Sequence, residues 1–252
     1  MKTDIVYILC GRGNNPETAK WLTDNSKIIL ATPDNGIGSN KSCGQARINV
    51  KKHAEQNGFK QYYMLDDDIK GWREPKGKPR KFDPLEIDWG DIAYGGFVHN
   101  AFINLHINEK LWTFNAPPFS AYYYNFDLIN SNLTFLSDIG REDTDFYLQC
   151  KNNNLKVCCF KKLAPITQSD VFNGKSIAIP KDKMNQMHYE IYCKWGDNLK
   201  LKRDKKYPDY VHCLINIKDN IKPITYKYDI SSLENWLKSI PHELKGGFNF
   251  EK

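Results

Sequence analysis

From Asp4 to Leu65 the chain alternates short apolar runs with segments of helical periodicity. This alternation restricts the fold more than any other feature, because it is the pattern of β-α-β units laid on a parallel sheet. Asp4 to Cys10 reads as a first strand and Gly11-Arg12-Gly13-Asn14-Asn15 as a turn. Asn15-Pro16-Glu17 has the marks of a helix start: a capping side chain, proline at the first position and an early acid. Lys27 to Ala31 is a second strand. After a polar loop from Thr32 to Gly44, the residues Ala46, Val50 and Ala54 recur at four-residue spacing and predict a helix over 45–56, with Gly58 just beyond it. Gln61 to Leu65 is a third strand, running straight into Asp66-Asp67-Asp68. The expected class is therefore α/β, with a Rossmann-like sheet flanked by helices.

A chain of 252 residues, 40% hydrophobic and 13% aromatic, buries a sizeable core in one large domain or two small ones. No apolar stretch reaches the roughly 18 residues of a membrane span, and Ile5 to Cys10 lacks the flanks of a signal segment, so no membrane partner is expected. Seven cysteines are scattered without a CxxC pair, for which free thiols in a reducing cytoplasm are the simplest account. The net charge is +6, with one basic cluster at Lys70, Arg73, Lys76, Lys78, Arg80 and Lys81 and a second at Lys200, Lys202, Arg203, Lys205 and Lys206. Such clusters suit a polyanion, although solvated loops explain them as well.

The stretch Glu74 to Lys81 is too rich in proline, glycine and charge for a helix or strand interior, and reads as a mobile surface loop. A helix is expected over 88–105, followed by aromatic strand-like runs at Leu111 to Phe114 and Ala121 to Phe126. Gly140-Arg141-Glu142-Asp143-Thr144-Asp145 precedes a short helix, and Leu155 to Phe160 is again strand-like. The last fifty residues are basic, then amphipathic around Leu233 to Ile240. A boundary is expected near 200, with 201–252 as an extension.

Three aspartates at the end of an apolar strand repel one another and are costly to desolvate. A hard divalent cation, held by one or two carboxylates and by the phosphates of a ligand, relieves both penalties. The carboxyl end of a strand is also where open α/β sheets bind ligands. Side chains alternate along an extended segment, so Asp66 and Asp68 are expected to face one way as metal contacts. Asp66 and Asp67 are placed with the donor contacts, and Gly11 and Arg12 line the same pocket because they close the first strand.

Tyr62-Tyr63-Met64-Leu65-Asp66-Asp67-Asp68-Ile69 resembles the DxD segment of GT-A glycosyltransferases, and the run from Gly36 to Asn49 is similar to the loop and helix before it. That resemblance implies a GT-A type nucleotide-diphospho-sugar transferase, with 1–70 binding the nucleotide-sugar and 71–200 the acceptor. It implies a Mn²⁺ or Mg²⁺ ion on the donor diphosphate, a UDP-sugar by family habit, and Arg47 and Asn49 on the nucleotide. Glu142-Asp143 looks like the ED motif of inverting GT-A enzymes, which makes Asp143 the base and leaves Arg141, Glu142 and Asp145 to the acceptor or to support. His188, before His212, is the candidate third metal ligand, although a lone histidine is more often structural.

The two acidic clusters in a short, Lys- and Asn-rich chain resemble phage DNA-modifying glycosyltransferases of the TET-associated type. This implies a hydroxymethylated pyrimidine, 5-hydroxymethylcytosine, as acceptor and a host cytoplasm as the setting. Arg73, Lys76, Lys78, Arg80 and Lys81 are then DNA contacts, and Trp72, Trp112, Tyr122 or Tyr124 are platforms for an extruded base or, more ordinarily, core. The alternatives are a GT-A enzyme acting on a glycan, lipid or protein, a metal-dependent nucleotidyltransferase, and a non-catalytic nucleic-acid-binding protein.

Overall fold

The computed structural model describes residues 3–11, 16–106, 110–114, 117–129, 132–136, 140–167, 181–203, 211–215 and 229–240. The chain divides into two compact units, Met1–Ala178 and Ile179–Lys252.

In the first unit the elements run β1 (Ile5–Leu9), β2 (Lys27–Ala31), α1 (Cys43–Gln56), β3 (Gln61–Asp66), β4 (Ile69–Arg73), β5 (Tyr94–Phe97), β6 (Trp112–Phe114), β7 (Phe119–Asn125), α2 (Glu142–Asn152), β8 (Val157–Phe160) and β9 (Ala164–Thr167). Seven strands form one sheet in the order β2-β1-β3-β7-β5-β8-β6, and β4 pairs with β9 in an antiparallel ribbon. The strands β2, β1 and β3 are mutually parallel, β7 is antiparallel to both β3 and β5, and β5 is parallel to β8. Leu9 lies opposite Ala31 on one side and Asp66 on the other, so three carboxyl ends finish level. Everything that follows β1, β2 and β3 therefore emerges at one rim.

Adjacent strand residues face opposite ways, so the tyrosine pairs of β3 and β7 serve both sides of the sheet. On one side Tyr63 and Tyr123 pack with Trp72, Phe82, Trp89 and Phe97. On the other, Tyr62, Tyr122 and Tyr124 meet α1 and α2, through Arg47 over Tyr122 and Phe146 against Tyr124. Each such side chain, taken fully out of water, contributes about 1.5–3 kcal/mol. Helix α1 starts where Ser42 accepts the amide of Gln45 in its Oγ, an N-cap.

The helix expected over 88–105 does not form. Its centre is β5, and only residues Asn100–His106 are helical, as a 3₁₀ segment. The reason is close packing: a Cβ on Gly95 would lie 2.3 Å from the Trp89 ring, and one on Gly96 would lie 2.4 Å from the Ala121 carbonyl. The helix start at Pro16 yields only a five-residue 3₁₀ segment, Glu17–Trp21, and Asn15 lies outside the described residues. The loop Glu74 to Lys81 is a folded hairpin, closed by reciprocal backbone bonds between Trp72 and Arg80 at 3.0 and 2.8 Å.

The second unit contains α3 (Lys181–Trp195), β10 (Leu199–Arg203), β11 (Val211–Ile215) and α4 (Leu233–Ser239), with β10 and β11 antiparallel. Tyr189 and Cys193 of α3 share a small core with Val211, Trp236 and Ile240, which moves the boundary from 200 to 178/179. Among the described residues no helix is long and apolar enough to cross a membrane.

Candidate active site

Asp66 is the last residue of β3, and Asp67 and Asp68 form the turn that leads into β4. The strand alternation expected to separate Asp67 from its neighbours stops there, and all three aspartates line one cavity. Leu9, Cys10 and Gly11 form one wall, and Ser39, Asn40, Lys41, Ser42 and Cys43, at the start of α1, form the other. The volume is about 460 Å³, enough for a small polar ligand. Arg12 lies outside the described residues.

Thr18, fully buried in the 3₁₀ segment after β1, braces the turn. Its hydroxyl donates to the Asp66 carbonyl at 2.6 Å and accepts the Ile69 amide at 2.9 Å.

Arg47, 2% exposed, lies behind the acids and does not line the cavity. Its Nη2 is 3.8 Å from Asp66 Oδ1, its Nε donates to Glu142 Oε1 at 3.2 Å, and its guanidinium lies 4.4 Å above the Tyr122 ring. Burial alone would lower the pKa of Arg47, but Cys43, the Tyr124 and Tyr122 phenols and Glu142 prevail and hold it charged. One buried cation thus joins the end of β3 to the start of α2, bringing both acidic clusters to one place. Asn49 holds the loop before α1, donating to the Gly38 carbonyl at 2.9 Å and accepting from Gln45 at 2.9 Å.

Burial lifts the Asp66 carboxyl to about 7; Arg47 pulls it down, and Asp68, Glu142 and Asp67 push it up. A carboxylate disfavoured in this way by burial and by like charges fits a cation. Among the described residues no three His, Cys, Asp or Glu side chains converge as a complete cage.

At the start of α2, Arg141 adopts the left-handed conformation, φ 74°, and turns the chain into the helix. Glu142 is committed to Arg47. Asp143 is partly exposed, with the Thr144 amide donating to Oδ1 at 2.7 Å and the Tyr122 hydroxyl 3.4 Å from Oδ2. Burial and the neighbouring Asp143 push the Tyr122 phenol far up, so that it stays a donor. Asp145 is fully buried and accepts from Gln149, which places it in the interior.

His188 belongs to the second unit, fully buried, with Nδ1 2.6 Å from the Val211 carbonyl oxygen. Of the basic loop, Lys76, Lys78 and Lys81 are exposed, whereas Arg80 is clamped by Glu74 at 3.1 Å and Glu86 at 3.0 Å. Arg73 donates to the Asn100 carbonyl at 3.1 Å. Trp72, Tyr122 and Tyr124 are buried, so these rings are core and not base platforms, whereas Trp112 is only partly buried against Phe160.

Sequence reasoning missed Thr18 and the contact of Tyr122 with Asp143, and it named the run Gly36 to Asn49 without singling out the wall from Ser39 to Cys43. Only Ser42 carried a local signal, as a helix cap; the others act across long sequence separations. Residues 3–175 match the family model described as TET-Associated Glycosyltransferase. Comparison with curated proteins finds no match.

Proposed function

The chain belongs to the TET-associated glycosyltransferase family, and from that premise we propose that it is a metal-dependent GT-A enzyme. In this proposal it moves a sugar from a nucleotide-sugar, a UDP-sugar by preference, to 5-hydroxymethylcytosine in phage DNA. The observation that carries the proposal is the buried Arg47 held between Asp66 and Glu142, because it makes two acidic motifs parts of one site. Three parallel strands that finish level, of which β3 runs into the acidic turn and has β7 antiparallel beside it, support the GT-A assignment.

Asp66 and Asp68 would hold Mn²⁺ or Mg²⁺, with Asp67 beside them. Such an ion, when bound, neutralises the charge that develops on the leaving diphosphate. The wall from Ser39 to Cys43 encloses the donor, and Arg47 positions the acids from behind instead of touching the nucleotide. Asp143 accepts the proton of the acceptor hydroxyl as its oxygen bonds to the anomeric carbon. The bond from that carbon to the phosphate oxygen breaks on the opposite face, the diphosphate leaves with the electron pair, and the anomer inverts. Exposed Lys76, Lys78 and Lys81 hold backbone phosphates of the acceptor. His188, whose Nδ1 is 2.6 Å from the Val211 carbonyl oxygen, is given no metal role in this proposal.

The test incubates the protein with Mn²⁺, a panel of nucleotide-sugars and hydroxymethylcytosine-containing duplex DNA, with mass spectrometry of the released nucleosides. A metal-dependent hexose- or pentose-sized gain on the modified base supports the proposal. Donor hydrolysis with no DNA product would remove this acceptor and leave a glycan, lipid or protein in its place. Asp143→Asn should retain donor binding while transfer falls by about 10²–10⁴; full turnover in that variant would end the base assignment.

A further inference from the structure

We infer that Thr18 is a positioning residue for the cation and diphosphate site, setting the aim of the three aspartates through its single hydroxyl. The inference rests on the assignment of the acidic turn as that site. The two groups that Thr18 engages, the Asp66 carbonyl and the Ile69 amide, are those across which a four-residue turn closes. At 2.6 and 2.9 Å the hydroxyl donates to one end of the turn and accepts from the other. A hydroxyl is suited to this because one neutral oxygen serves as donor and acceptor at once. The Thr18 amide also points at the Asp67 carbonyl, at 3.5 Å, so three successive peptide units of the turn are referenced to one residue.

Two features separate this arrangement from an ordinary loop brace. Thr18 is fully buried, so no water replaces the hydroxyl when it is lost. Three of the four residues of the turn it holds also carry carboxylates, whose mutual repulsion works to splay them.

The measurement is Mn²⁺ binding in the presence of UDP, followed by electron paramagnetic resonance and calorimetry on the full chain, with Tm recorded alongside. Thr18→Val keeps the branched shape and removes both hydrogen bonds; Thr18→Ser keeps the hydroxyl and loses a methyl. Thr18→Val should bind Mn²⁺ about tenfold more weakly, and Thr18→Ser should stay close to the wild type even where its Tm falls. Unchanged binding in Thr18→Val, whatever its Tm, would reduce Thr18 to a stabilising brace and overturn the inference. Equal weakening in both variants would overturn it too, since bulk and not the hydroxyl would then matter. Should Thr18→Val fail to fold, Thr18→Ala removes the hydroxyl without adding bulk and is compared with Thr18→Ser in the same way. Failure of the wild type to bind Mn²⁺ with UDP is a separate result, which removes the acidic-turn assignment and the inference with it.

Discussion

Arg47 stands between carboxylates that the sequence places far apart: Glu142 is 95 positions away. Charge density marked Asp66 to Asp68 as a site, and resemblance to an ED motif marked Glu142-Asp143. Nothing local reveals that one arginine joins them, and its guanidinium looks like a ligand contact until its burial is known. Removing that cation while keeping the stem, as in Arg47→Met, leaves the buried Glu142 carboxylate and the partly buried Asp66 without their counter-charge. We expect a loss of about 3–5 kcal/mol in urea-unfolding free energy. Asp66 gives a second expectation. Folding raises its pKa from 3.8 to about 7, so the folded chain holds this proton more tightly than the unfolded one. Unfolding between those values releases a proton, and stability therefore falls as pH rises from about 4 through about 7. A Tm series over that range, without added metal, should show this decline for the wild type and lose much of it in Asp66→Asn.

The elements of the first seventy residues were legible because their signals are local: β1, β2, α1 and β3 coincide with the apolar runs and the four-residue repeat. The short strands β4 and β9 escaped notice, and β5 was read as helix, since Tyr94-Gly95-Gly96-Phe97 looks like a weak helix or a turn until Trp89 and Ala121 press on it. The same kind of close approach sets the first turn of α1. A Cβ on Gly44 would lie 1.7 Å from the Leu136 carbonyl, a clash with backbone that no rotamer relieves. Gly44→Ala should therefore cost about 3 kcal/mol or more, whereas Ser42→Ala, which removes only the cap of the same helix, should cost about 1 kcal/mol. Urea midpoints of the two variants decide whether packing or capping dominates at this end of the helix.

For the whole molecule, a net charge of +6 has a use only if some of it stays free to meet an anion. Arg80 is neutralised by two glutamates, so the basic loop presents Lys76, Lys78 and Lys81, a smaller set than its composition implied. Replacing these three with alanine should weaken duplex DNA binding at every sequence and reduce the log–log salt slope by about 0.9 for each lysine that contacts a phosphate. An unchanged slope would place the DNA contact elsewhere. The sheet order carries one more consequence, for the time course of folding. Strand β7, at 119–125, lies between β3 and β5, both of which precede it in the chain. A chain emerging from the ribosome thus makes β3 and β5 before the strand that joins them, and β8, on the far side of β5, only afterwards. Until β7 arrives, Tyr62, Tyr63 and Tyr94 have exposed edges beside them, and the interval up to residue 125 is when misassembly is cheapest and a chaperone has most to protect.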